Sequence, residues 1–254
     1  MSKSSPAKSD SRRAQLRAAQ LQQAKRDRNR RIATFSVIGV VVIALIIGGV
    51  LLFNRFSQEQ AVNNPPNATA AGDGIVTNPG KAQAGAPKVE LFLDYQCPAC
   101  ARFEAGFGPT LDQMAEAGEI ELSYRTMTFL DTNLRNDSST RAANAAACAD
   151  LSGHYADYHN AIFSHQPATE GTGFTEANLT QDFTQQAGIT GAALDEFNAC
   201  YSAKRFTGFV KQVDNEAGRS GVTGTPSLHV NGETVELGQL TDPASLRAQI
   251  DALK

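Results

Sequence analysis

The sequence predicts one α/β domain that follows a single membrane-spanning segment. Three observations support this prediction: an uncharged apolar run, a strand–Cys-x-x-Cys–helix pattern, and a strand and hairpin that precede a last helix. A chain of 254 residues allows one large domain or two small ones. Residues 88–254, which follow the apolar run and a polar spacer, are long enough for one well-formed core.

A strongly basic tail opens the chain. Residues 1–31 contain ten Lys or Arg and two Asp, a net charge of +8, whereas the remainder carries a net charge of −11. A basic tail can bind nucleic acid, but this one ends directly at the apolar run, so we expect no nucleic-acid partner. The positive-inside rule then places residues 1–31 in the cytoplasm and the rest of the chain outside it.

Residues 32–53 have the length and composition of a transmembrane helix. About 20 apolar residues span the core of a bilayer, and this run contains no charge. A cleaved signal peptide is the alternative, but its apolar stretch would be shorter, about 7–15 residues, with a small-residue cleavage site close behind. The prediction is a single-pass protein of the cell membrane with an extracytoplasmic domain.

The outer part of the chain is predicted to begin with a flexible linker at residues 54–87, which are rich in Asn, Pro, Ala and Gly. Asn-Gly is a strong hairpin signal, and an Asp followed by Pro is typical of a helix start. The predicted elements are, in order, a strand at 88–94, a helix at 98–117, a strand within 120–129, a helical insert at about 138–209, a strand at 228–230, a hairpin turn at Asn231-Gly232 and a helix from Pro243.

Two cysteines lie on the first turn of the helix predicted at residues 98–117. Cys97 and Cys100 are separated by Pro98 and Ala99 and follow the apolar strand. Free N–H groups at a helix N-terminus favour a thiolate, so Cys97 is predicted to be acidic and nucleophilic. A strand, a Cys-x-x-Cys pair and a helix together are the thioredoxin-like redox arrangement.

A zinc site is the alternative for this pair. Structural zinc takes four ligands, often from a second closely spaced pair, and Cys148 and Cys200 are far apart in sequence. We therefore expect no metal. In an oxidising compartment the even cysteine count favours a structural Cys148–Cys200 disulfide, with two buried free thiols or a second redox pair as alternatives.

The four histidines are not predicted to bind metal. His154, His159 and His165 do not share one helix face and are predicted to lie on the surface of a helix. His229 follows the Thr-Pro segment and is predicted to be a packing or surface residue, with a role near the site as the alternative.

Two motifs resemble the DsbA family of thioredoxin-fold thiol–disulfide oxidoreductases. They are Phe-Leu-Asp-Tyr-Gln-Cys-Pro-Ala-Cys at residues 92–100 and Gly-Val-Thr-Gly-Thr-Pro-Ser at residues 221–227. The resemblance covers about residues 88–254, and the anchored form with a basic tail is similar to DsbA-like proteins of actinobacterial envelopes. It implies a thioredoxin-like fold with a helical domain inserted between the two motifs, and no cofactor.

The resemblance also implies a role for each motif residue. Cys97 would be the attacking or attacked thiol, and the more buried Cys100 would resolve mixed disulfides. Thr225 and Pro226, joined by a cis peptide bond, would present backbone to a substrate segment beside Cys97.

Pro98 and Ala99, between the cysteines, would tune the redox couple. The family archetype has His where Ala99 stands, so the resemblance implies a weaker oxidant. It also has a buried carboxylate where Leu91 stands, which leaves Glu90 and Asp94 as open candidates for proton transfer to the second cysteine.

Together these features predict a membrane-anchored, extracytoplasmic thiol–disulfide oxidoreductase that introduces disulfides into exported proteins with free thiols. An unknown membrane redox partner would reoxidise it. One alternative is a reductase or isomerase on the same fold. The other is a non-enzymatic module that uses the two thiols for binding.

Overall fold

The computed structural model describes residues 63–254 and, before them, Gly48 alone. Apart from Gly48, the predicted basic tail, the predicted transmembrane helix at residues 32–53 and the first part of the predicted linker lie outside the described residues. Within the described part of the chain, no helix is both long and apolar enough to cross a membrane.

One mixed sheet forms the centre of residues 63–254. Its strand order is β1-β3-β2-β4-β5; β2 runs parallel to β3, and the other neighbouring strands pair antiparallel. Leu91 in the middle of β2 pairs with Tyr124 on one side and Leu228 on the other. The strands are β1 (Ile75–Val76), β2 (Lys88–Leu93), β3 (Glu121–Thr126), β4 (Ser227–Val230) and β5 (Glu233–Thr234).

Helices cover the sheet and fill the long connection between β3 and β4. The helices α2 to α7 all lie in this connection, so the helical insert is somewhat wider than the predicted 138–209. Within residues 63–254 the α-helices are α1 (Pro98–Glu116), α2 (Phe129–Leu134), α3 (Ser138–Ala149), α4 (Tyr155–Ser164), α5 (Phe183–Gln186), α6 (Gly191–Ser202), α7 (Thr207–Arg219) and α8 (Pro243–Ala252).

The central strand β2 is buried on both faces, as expected for a strand with neighbours and helices on every side. Val89, Leu91 and Leu93 enter the main core, whereas Phe92 points to a smaller cluster that includes Met127. Burying one such side chain contributes roughly 1.5–3 kcal/mol to folding. This packing fixes the end of β2, from which the chain enters the cysteine motif.

Residues 63–87 differ from the flexible linker predicted at residues 54–87. The strand β1 extends the sheet along β3, and Asn78 is only 1% exposed. Its amide group donates to the Ala115 and Ile120 carbonyls, at 2.9 and 2.8 Å, and its carbonyl accepts from the Leu122 N–H. The segment docks through polar side chains such as Asn78, which bond backbone groups. Hydropathy does not reveal such contacts, so the polar composition predicted a spacer.

The predicted disulfide joins two helices of the insert. Cys148 at the end of α3 and Cys200 in α6 are bonded, with their Cα atoms 5.8 Å apart, which confirms the predicted pairing. The helix α3 is almost wholly buried, and its run of alanines leaves room for its neighbours α4, α6 and α7 to pack against it.

Candidate active site

Cys97 and Cys100 lie on the first turn of α1, directly after the central strand. Cys97 is the Ncap residue with extended backbone angles (φ −80°, ψ 115°), and Pro98 begins the helix. Proline fits there because its missing N–H would have no partner within the helix. The Cys100 N–H donates to the Cys97 carbonyl at 3.1 Å, which closes the turn and holds both cysteines at the same end of the helix.

The two thiols differ in exposure and in pKa. Cys97 keeps 7% of its accessible surface and Cys100 keeps 1%. A hydrogen bond from the Cys100 thiol, assisted by Thr225 and by the N–H groups of Ala99 and Cys100, lowers the pKa of Cys97 to about 6 against the effect of burial. Burial and the neighbouring Cys97 raise the pKa of Cys100. At neutral pH Cys97 is therefore the nucleophilic thiolate, and Cys100 keeps its proton.

In the reduced protein we expect iodoacetamide to alkylate Cys97 well before Cys100. Because only the thiolate reacts, the rate at Cys97 should rise with pH and reach its midpoint near the pKa of about 6. Mass spectrometry of peptides quenched at each pH measures both sites in one sample. Preferential modification of Cys100 would reverse the assignment of the nucleophile.

The Thr225–Pro226 segment faces this thiol. The peptide bond between the two residues is cis, which confirms the prediction. When Cys97 is protonated, its thiol donates to the Thr225 carbonyl with an Sγ···O distance of 3.5 Å. The strand β4 begins at the next residue, Ser227, and pairs with β2. Pairing with the strand that leads to Cys97 therefore places this segment beside the sulfur.

Of the two carboxylates left open by the sequence, Asp94, three residues before Cys97, is the one that is fully buried. It has no exposed surface, and it accepts from the Ser139 hydroxyl at 2.6 Å and from the N–H groups of Gln96 and Leu130. Burial raises its pKa to about 7 despite these bonds. The Asp94 carbonyl accepts from the Cys97 N–H at 2.9 Å, which ties its backbone to the cysteine motif.

Glu90 is engaged elsewhere. Its carboxylate forms an ion pair with Arg125, which also binds Asp73. The Arg125 guanidinium in turn lies over the Phe92 ring at 5.6 Å. The Glu90 carboxylate is therefore paired within this cluster of charges beside β1. Asp94 is the better candidate for proton exchange with Cys100.

Replacing Asp94 with Asn should flatten the pH dependence of stability. The folded pKa of about 7 lies above the ordinary value of 3.8 for an aspartate, so the folded state binds the proton more tightly. Protonated Asp94 therefore stabilises the folded state by about 2–4 kcal/mol. This stabilisation is fully present below about pH 4 and is lost as the pH rises through about 7. Urea unfolding across this range measures it, and Asp195→Asn, at an exposed position, is the matched control. An unchanged slope in Asp94→Asn would contradict the assignment.

Gln166, for which no local pattern indicated a role, attaches the insert to the active-site loop. Gln166 follows α4, and its side-chain amide donates to the carbonyls of Tyr95 at 2.7 Å and Cys97 at 3.1 Å. The Tyr95 carbonyl lies in the turn before α1, and the Cys97 carbonyl at the Ncap also accepts from the N–H groups of Cys100 and Ala101. Gln166 therefore fixes the backbone from which the nucleophile projects.

The prediction of surface histidines is wrong for His159. Its side chain is fully buried, where it shares a hydrogen bond with the Tyr95 hydroxyl at 3.0 Å, stacks on Tyr124, and lies 3.4 Å from Glu104. A histidine among polar residues is predicted to be exposed, because the local sequence does not indicate distant partners such as Tyr95 and Tyr124. His229 packs on Phe92, as predicted for a strand residue.

Comparisons with known proteins point to one family. A family model described as Thioredoxin matches residues 79–252. Among solved structures, reduced DsbA from Mycobacterium tuberculosis is 30% identical with a TM-score of 0.58, over 71% of this chain and 92% of that chain. Reduced DsbG from the same organism is 31% identical with a TM-score of 0.59, over 72% and 88%.

A more distant likeness supports the fold alone. MdbA from Actinomyces oris, a thiol-disulfide oxidoreductase, is 21% identical with a TM-score of 0.63, over 75% of this chain and 94% of that chain. No curated protein sequence matches. The family model nevertheless covers more than half of the chain, and the two mycobacterial structures match it along most of their own length. The chain therefore belongs to the thioredoxin-fold, DsbA-like family of protein thiol–disulfide oxidoreductases.

Proposed function

We propose that the protein oxidises pairs of thiols in exported proteins through the Cys97–Cys100 couple. The observation that carries this proposal is the difference between the two thiols: the pKa of Cys97 is lowered to about 6, whereas that of Cys100 is raised. In thiol–disulfide exchange the thiol of lower pKa is the better leaving group. Cys97 is therefore suited to be displaced from a mixed disulfide by the second substrate thiolate.

The proposed reaction has two exchange steps. A substrate thiolate attacks Cys97 Sγ, the Cys97–Cys100 bond breaks, and Cys100 leaves as a thiolate that takes up one proton. A second substrate thiolate then attacks the substrate sulfur of the mixed disulfide, and Cys97 leaves as a thiolate. Two electrons pass from the substrate to the enzyme, and the substrate gains its disulfide.

Asp94 supplies the proton for Cys100 in this scheme. Its carboxyl is buried, and its pKa of about 7 keeps a large fraction protonated at neutral pH. The Ser139 hydroxyl bound at 2.6 Å holds the carboxyl in place. Water is largely excluded from Cys100, so an internal donor has an advantage over solvent.

The substrate segment is proposed to lie against Thr225 and Pro226, with Pro98 and Ala99 on the opposite side of Cys97. Pro226 has no N–H, so the Thr225 carbonyl next to Cys97 is the backbone group that this segment offers to an extended chain. The peptide backbone is common to all substrates, which suits an enzyme that acts on many exported proteins.

Anchoring is proposed from the sequence alone. The apolar run at residues 32–53 with ten basic residues before it would hold residues 54–254 outside the cytoplasm, where exported thiols are found. A membrane redox partner would accept the two electrons from the reduced couple. Protease treatment of intact cells should remove the outer domain and leave the basic tail protected; the reverse pattern would overturn the orientation.

The reduction potential of the Cys97–Cys100 couple tests the direction of transfer. We expect a value between that of thioredoxin, about −270 mV, and that of the strongest oxidases, about −120 mV. Thiol trapping in intact cells should find the couple oxidised. A potential at or below the thioredoxin value, with the couple reduced in cells, would favour the reductase or isomerase.

A further inference from the structure

A half-open pocket of about 280 Å³ lies on the helix that carries the cysteines. It is formed between α1 and α4, and its lining begins at Ala101, one helical turn after Cys97, and continues to Asp112. Phe163 and Ser164 at the end of α4 form the opposite wall. The active-site loop is held by Gln166, two residues farther along, so the pocket adjoins the site.

The lining of the pocket contains hydrogen-bond acceptors that lack donors. The Glu104 side chain is 7% exposed, and its Oε1 atom lies 3.4 Å from His159 Nε2, without a hydrogen bond to any described residue. Its other oxygen lies against Gly108, where a side chain would collide with it. Pro109 has no N–H, so the Ala105 carbonyl, one turn earlier, loses its helical partner.

Asp112 adds a second carboxylate. It accepts one hydrogen bond, from the Asn160 amide at 3.3 Å, and no Lys or Arg of the described residues lines the pocket. Burial raises the pKa of Asp112, His159 lowers it, and Glu104 and Glu116 raise it further. Glu104 and Asp112 stand about two turns apart on α1 and both line the pocket, so a cation bound there would meet two carboxylates.

We propose that this pocket binds the cationic group of a basic side chain, Arg or Lys, that lies near the cysteine of the substrate polypeptide. Glu104 and Asp112 supply the opposite charge, and the Ala105 carbonyl and the Asn160 amide oxygen supply further acceptors. A guanidinium or ammonium group carries only donors, which matches a lining of acceptors. The inference rests on the proposed function, because it assigns the substrate that the cysteines act upon.

The distance along α1 between Cys97 and Glu104 determines how far the basic residue of the substrate must be from its reactive cysteine. Glu104 follows Cys97 by about two turns, which is roughly 10 Å along the helix axis. An extended chain covers this distance in about three residues. A substrate with Arg or Lys about three residues from its reactive cysteine can therefore occupy the pocket while its thiolate reaches Cys97.

Short peptides with one cysteine test this proposal. One carries Arg about three residues from the cysteine, a second carries Lys, and a third carries citrulline, which keeps the shape of Arg without its charge. The rate at which each reduces the oxidised Cys97–Cys100 couple is measured with the full chain. We expect the Arg and Lys peptides to react about tenfold faster than the citrulline peptide at low salt, and this ratio to shrink at high salt.

Two variants and one control locate the effect. Asp112→Asn should reduce the ratio to about twofold, and Ala105→Lys, which places an ammonium group in the pocket, should reduce it to about one. Ala105 is exposed, so this change does not disturb the core. Glu116→Gln removes a charge from the same helix, outside the pocket and paired with Lys81, and should keep the ratio.

The outcomes separate this proposal from the proposed function. Equal rates for all three peptides would overturn the pocket assignment while leaving disulfide exchange intact. An equal fall of the ratio in Glu116→Gln and Asp112→Asn would also overturn it, because the preference would then come from overall charge. Failure of every peptide to reduce the couple would instead contradict the oxidoreductase reaction.

Discussion

Replacing Cys97 with Ser should abolish disulfide exchange, whereas replacing Cys100 with Ser should leave a Cys97 thiolate that forms mixed disulfides but cannot complete the exchange. Cys97 is the more exposed sulfur and its pKa is lowered to about 6, so without it no mixed disulfide can form. A Cys100→Ser protein cannot form the Cys97–Cys100 disulfide, but its Cys97 thiolate can attack an existing disulfide, displace one sulfur as a thiolate and stay bonded to the other, with no Cys100 thiol to displace it. Mixed disulfides should therefore accumulate in this variant alone.

Non-reducing gels and mass spectrometry of cells that express each variant measure this difference. The adducts should disappear on addition of a reductant and should be absent from the Cys97→Ser/Cys100→Ser double variant. If Cys97→Ser retained function in cells, a non-enzymatic binding module would be favoured. If adducts formed on Cys100 instead, the two roles would be exchanged.

The parts of the site that could be predicted from sequence depend on local geometry. Cys97 at the Ncap and Pro98 at the first helical position are fixed by the few residues around them. The last helix is similar: Asp242 caps it, and its side chain accepts from the Ser245 N–H at 2.8 Å. The hairpin after β4 follows from Asn231-Gly232, both of which adopt positive φ.

Contacts between distant segments could not be predicted in this way. Asp94 meets Ser139 across the boundary between the sheet and the insert, and Gln166 reaches the active-site loop from beyond α4. Each is a single polar side chain whose partner is decided by tertiary packing. The same holds for Asn78, whose amide bonds the backbone around β3 although its neighbours resemble a spacer.

The insert contributes more to the active site than its position in the sequence suggests. Its helix α3 supplies Ser139 at one end, where the hydroxyl binds Asp94, and Cys148 at the other end, where the disulfide begins. The same helix therefore connects the disulfide to the residue that holds the buried carboxylate. The stability of the insert and the proton chemistry at Cys100 are therefore expected to be linked.

Removing the Cys148–Cys200 disulfide should lower the free energy of unfolding by about 4 kcal/mol, the chain-entropy value for a loop of this length. The bond closes a segment with a sequence separation of 52 residues. Replacing both cysteines with Ala avoids burying new hydroxyl groups, because Cys148 and Cys200 are 1% and 4% exposed. Urea unfolding of the full chain measures the change, and Cys97→Ala/Cys100→Ala is the matched control.

Under native conditions this variant should still carry out exchange at Cys97, because α3 remains held by its buried alanines and by Asn144, which accepts from the Phe206 N–H at 3.0 Å. Activity should be lost at a lower urea concentration than in the unmodified protein, in step with unfolding of the insert. A loss of stability below about 1 kcal/mol would show that packing alone holds the insert, since the entropic effect of a loop this long is several times larger. Loss of exchange without urea would instead mean that the disulfide is needed to keep Ser139 on Asp94.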